Sequence, residues 1–135
     1  MLQNDLQDLH LICRIANQYG NGDSQSDVFS SIQNWTSFAQ LVHKNGLAPI
    51  IHQRFKETSS TASIPESFIE ECQQIYYRVL SKNIIHFNLY QQIREILTVE
   101  NFHYIPLKGI ALSEFLYGDI GLRPMSDIDL LFRVY

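Results

Sequence analysis

The chain has 135 residues, the length of one ordinary domain and enough to bury one real core. Its 45% hydrophobic and 12% aromatic content exclude a disordered chain. A formal charge of −4 offers no electrostatic footprint for wrapping a nucleic-acid backbone, so no nucleic-acid surface is expected.

Asp5 and Asp8 interrupt the first ten residues, so no secretory signal is expected there. No apolar run reaches the ~20 residues of a membrane helix. The expectation is a cytoplasmic protein without membrane contact. Leu2, Leu6, Leu9, Cys13 and Ala16 recur at spacings of three and four, which predicts a helix over 2–18 stopped at Gly20. "GNGDSQSD" (20–27) is a loop. A second helix is predicted over 31–44, with Ile32, Trp35, Phe38 or Ala39, and Val42 facing inward and Gly46 ending it. "LAPIIHQRF" starts a third, with Pro49 tolerated in its first turn. "ETSSTAS" (57–63) is a polar linker.

Pro65 opens the longest periodic stretch, which runs to about Asn101 with Phe68, Cys72, Ile75, Val79, Phe87, Ile93 and Leu97 on its apolar stripe. The pattern reads as one helix and allows a bend near Ser81–Asn83. Cys13 and Cys72 both fall on apolar stripes and stand in no metal-ligand spacing, so both are expected to be inert core thiols. None of the five histidines forms a His-x-x-x-His pair.

The pattern changes after residue 101. "HYIPLKG" (103–109) predicts a short strand ending at a glycine, "IALSEFLYG" (110–118) one or two helical turns closed by Gly118, and "DIGLRP" a turn. "SDIDLLFRVY" (126–135) predicts a second strand. The expected fold is α+β: a helical region over 1–100, then the start of an α/β unit over 101–135.

On a strand, positions i and i+2 point the same way. Asp127 and Asp129 therefore share a face, while Ile128 and Leu130 turn to a buried one. Two carboxylates this close repel each other, and a divalent cation removes the conflict. Mg²⁺, or Mn²⁺ in its place, suits them, because Mg²⁺ typically takes one or two carboxylates plus substrate phosphates. Gly109 allows close backbone approach to a phosphate, and Lys108 adds a positive charge. Each element alone also fits plain turn chemistry. Their order along the chain points to a nucleoside triphosphate attacked in line at its α-phosphorus, with pyrophosphate leaving.

"YIPLKGIALSEFLYGDIGLRPMSDIDLLFR" resembles the signature of a bacterial nucleotidyltransferase family within the polymerase-β-like superfamily. The shared positions are Leu107, Lys108, Gly109, Tyr117, Gly118, Asp119, Gly121, Arg123, Pro124, Asp127, Ile128, Asp129, Leu130 and Leu131. "WTSFAQLVHKNGLAPIIHQRF" is similar to the helical segment that precedes the catalytic unit in such proteins, so the resemblance covers roughly 31–133. It implies Asp127 and Asp129 as metal ligands, and Lys108 and Gly109 as the nucleotide-phosphate contact. Arg123 is either a phosphate partner or a salt-bridge partner of Asp119 or Asp127.

Two departures stand out. Superfamily members commonly carry Gly-Ser at the phosphate turn, whereas Gly109 is followed by Ile110. The superfamily also uses a third carboxylate on a later strand, and neither Glu95, Glu100 nor Glu114 is placed to replace it. The chain is accordingly expected to hold an incomplete core, with an edge strand open to self-association. The sequence leaves the acceptor unnamed. It also leaves room for a non-catalytic nucleotide- or protein-binding module, similar to the antitoxin role of minimal nucleotidyltransferases.

Overall fold

The computed structural model describes residues 10–13, 28–57 and 63–133. The fold is α+β, mostly helical with one two-stranded antiparallel sheet. The chain divides into two compact units, Met1–Ile75 and Tyr76–Tyr135. The expected helix over 2–18 lies outside the described residues except for 10–13, which are helical. The 20–27 loop and most of the 57–63 linker lie outside them as well.

In the first unit Leu11 and Ile12 are buried, but Cys13 is exposed, against the expectation of a core thiol. Each helical residue turns about 100° from the last. With positions 11 and 12 facing the core, position 13 is carried out toward water. The next helix, α1, spans Trp35–Lys44 and starts later than its apolar periodicity suggests. Val28–Ser31 form a separate 3-10 turn. Asn34 sets the start of α1, its side-chain oxygen accepting from the Ser37 amide at 3.0 Å. Ile32 is buried from ahead of the helix, while Phe38 and Val42 are buried within it. Gly46, at φ 64°, ends it. The Gly46 amide donates to His43 O at 3.1 Å and the Leu47 amide to Val42 O at 2.9 Å, satisfying the last carbonyls.

Helix α2 spans Ala48–Glu57, with Pro49 buried in its first turn, where a missing N–H costs nothing. Helix α3, Glu66–Val99, is 34 residues long. It is unbroken through 81–83, where the Ser81 hydroxyl bonds back to Tyr77 O at 2.8 Å. Only its first part belongs to the first unit. There Phe68 is the meeting point of the core, with ring centroids 5.6 Å from Trp35 and 6.0 Å from both Phe38 and Phe55. Cys72 is fully buried, and burial, aided by Glu71, pushes its thiol up to about 12.

The second unit begins on the same helix. Asn101, at φ 57°, closes α3, with the Phe102 amide donating to Leu97 O at 2.9 Å and its own amide to Thr98 O at 3.2 Å. Strand β1 is Tyr104–Leu107. It runs directly into α4, Lys108–Leu112, which continues as a π-helical turn over Ser113–Tyr117 and closes at Gly118, φ 64°. Strand β2 is Asp129–Phe132 and pairs antiparallel with β1, in register from Tyr104↔Phe132 to Leu107↔Asp129.

The second strand was expected from residue 126 but starts at Asp129, because its partner ends at Leu107 where the chain turns into α4. Ile128 and Leu130 are half-buried rather than buried. Ile128 lies ahead of β2, outside the strand that would have fixed its face.

Two expectations follow for the first unit. Phe38→Ala should cost about 3–5 kcal/mol, the usual loss for emptying a fully buried aromatic site, measured by urea unfolding. His52 is buried, and burial, then nearby Lys56, lowers its pKa from 6.5. Below about 6.5 the unfolded chain therefore binds a proton that the folded one resists, and stability falls as pH drops. His52→Leu should lose less stability than the wild type between pH 7.5 and 5.5 in parallel denaturation curves.

Candidate functional site

The described part of the site lies in the second unit, and its frame is a loop held against α3. Asn83 is fully buried on that helix. Its amide nitrogen donates to Ile120 O and, at 2.7 Å, to Arg123 O. Seven residues earlier, two helical turns away on the same face, the Tyr76 hydroxyl donates to Asp119 Oδ2 at 2.8 Å. The other oxygen of Asp119 accepts from the Gly121 amide at 2.7 Å, a side-chain-to-backbone turn. A Cβ at Gly121 would lie 2.6 Å from the Tyr76 ring, so only glycine lets ring and loop approach this closely. Leu122 and Met125 are buried beyond it. Met125 packs on the other side of the signature, where a Cβ at Gly109 would lie 2.9 Å from its side chain and Ser113 Oγ lies 3.5 Å from its sulfur.

Register brings the charged residues together. Leu107 pairs with Asp129, so Lys108, one step on, starts α4 beside that aspartate. Lys108 Nζ lies 2.9 Å from Asp129 Oδ2. The hydrogen bond to Asp129 and the charges of Asp129 and then Asp127 raise the Lys108 pKa. By the alternation of the sheet, Asp129 shares its face with Ile105 and Leu131, which are 60% and 54% exposed. That face is open to solvent. Asp127 precedes the strand and is exposed.

Lys108 itself has φ 49°, in the left-handed region that disfavours side chains. The turn after β1 was expected to fall on Gly109. The left-handed residue is instead the lysine, and Gly109 sits in the first helical turn, where Met125 requires its lack of a side chain. Helix α4 is only five residues long, so little dipole supports an anion there and positive charge comes chiefly from Lys108.

Arg123 is tied to α3 through its backbone. Among the described residues no ion pair joins it to Asp119 or Asp127; Asp119 is already committed to Tyr76 and Gly121. The Arg123 carbonyl is held by Asn83, and its Nε is buried without a hydrogen bond. Among the described residues no group of three or more histidine, cysteine or acidic side chains gathers around a possible ion. No helix among them is long and apolar enough to cross a membrane.

Sequence reasoning passed over Tyr76, Asn83 and Met125. The Asp119-x-Gly121 spacing was a readable turn signal, whereas a single asparagine inside a helical stripe gives none.

Over residues 31–134 the chain matches the profile of a family described as an uncharacterised nucleotidyltransferase, and it belongs to that family. Its general function is accordingly of the nucleotidyltransferase type. Searches of curated proteins and of solved structures return no match.

Asn83→Ala strips two backbone carbonyls of their donor and should destabilise the protein by about 2–4 kcal/mol in chemical denaturation. Gly121→Ala should lower the melting temperature on its own, whereas the same change beside Tyr76→Ala should cost less than the sum of the two.

Proposed function

We propose that the chain binds a nucleoside triphosphate with a divalent cation, Mg²⁺ or Mn²⁺, and serves transfer of the nucleoside monophosphate to an acceptor. The observation that carries this reading is the 2.9 Å contact between Lys108 Nζ and Asp129 Oδ2 on the open face of the sheet. It sets a lysine ammonium, a group suited to phosphate, against one member of the acidic pair.

The donor set fits such an ion. Asp127 is exposed and the Asp129 side chain is 33% exposed, so hard oxygens are reachable by a cation that keeps several waters. Asp127 and Asp129 would hold the cation, which when bound offsets triphosphate charge and polarises the α-phosphoryl group. Lys108 supplies the charge that meets the phosphates, and Gly109 offers its backbone N–H next to it. Arg123 is oriented by Asn83 through its own carbonyl and serves the shape of the loop. The acceptor's nucleophile attacks the α-phosphorus and pyrophosphate departs.

Calorimetric titration with ATP tests the reading. Binding should require Mg²⁺ or Mn²⁺ and should vanish in the Asp127→Asn, Asp129→Asn double variant. Equal affinity in the double variant, or equal affinity with a chelator present, would remove the acidic pair from the site.

A further inference from the structure

We propose that Lys108 is an exchangeable counter-ion, which neutralises Asp129 while the acidic pair is metal-free and moves to a triphosphate oxygen when cation and nucleotide arrive. This rests on the metal and nucleotide reading above.

Three observations carry it. The ammonium occupies Asp129 Oδ2 at hydrogen-bond distance, so it draws on a carboxylate that a metal ion would also use. The lysine side chain is 69% exposed, so its head can leave the carboxylate without crossing packed atoms. Its backbone is fixed, because the left-handed φ at position 108 and the Leu107↔Asp129 pairing set where the stem begins. The mobile part is therefore the four-carbon stem alone, whose three donors can turn from carboxylate to phosphate.

Charge explains the direction of the exchange. Asp127, Asp129 and Lys108 together carry a net −1. A divalent cation would reverse that sign and repel the ammonium, while a triphosphate brings new negative charge to receive it. Lysine thus opposes binding of the bare ion and favours binding of the ion with its nucleotide. A purely structural lysine would have no such opposite effects.

The test measures both affinities on the full chain. Mn²⁺ alone is titrated by electron paramagnetic resonance, and ATP is titrated calorimetrically at saturating Mg²⁺. Lys108→Met keeps the stem and removes the charge. It should bind Mn²⁺ about 3- to 10-fold more tightly and ATP more weakly by a similar factor, the scale of one exposed ion pair. Lys108→Arg should stay near the wild type in both. Circular dichroism of each variant checks the fold, and Lys108→Gln provides a second uncharged variant.

Mn²⁺ affinity that is unchanged or weaker in both uncharged variants overturns the exchange, even where Asp127→Asn and Asp129→Asn still abolish metal binding. Absence of carboxylate-dependent Mn²⁺ binding in the wild type and both uncharged variants overturns the underlying reading as well.

Discussion

One buried amide holds the second unit in its working shape. Asn83 has no solvent contact, so its side chain loses water on folding and must recover that loss inside the protein. Its amide nitrogen does so by donating to two carbonyls three residues apart, those of Ile120 and Arg123, while its side-chain oxygen is buried without a hydrogen bond. For one amide nitrogen to reach both carbonyls, the loop between them must bend. The amide and the bend therefore depend on each other. Tyr76 and Asp119 add a second attachment to the same loop.

From that loop the chain runs by way of Met125 into the acidic sequence, and from the other side β1 delivers Lys108. The two routes meet in the antiparallel register, which places Leu107 opposite Asp129. A slip of one residue in that pairing would turn Asp129 to the other face of the sheet and separate it from the lysine. The ion pair is thus a product of strand alignment rather than of neighbouring sequence. Much of the family signature builds this alignment: Gly109 yields to Met125, Gly118 closes the π turn, and Asp119 and Gly121 form the loop bend.

Elements whose signal is local were legible in the sequence. Gly46 stopped α1, Pro49 opened α2, the stripe led by Phe68 and Cys72 marked α3, and Gly118 closed the turn before the loop. Features set by distant partners were not. The core contact over 10–13 rotated Cys13 outward, although its spacing matched the apolar positions. The short partner strand delayed β2 to Asp129, although the expected strand began at Ser126. At the site, strand alternation led to an acidic pair on one face, while the structure shows a lysine on one of its members. The lysine's left-handed backbone had no signal, because a glycine stood next to it and is the usual bearer of that conformation.

The close fit of Gly121 under the Tyr76 ring has an evolutionary corollary. A ring and a missing side chain are two halves of one shape, contributed by positions 45 residues apart in the chain. Neither can drift freely while the other stays. A homologue with a methyl group at the loop position is expected to carry a smaller side chain on the helix. It would then hold its aspartate by some donor other than a phenol.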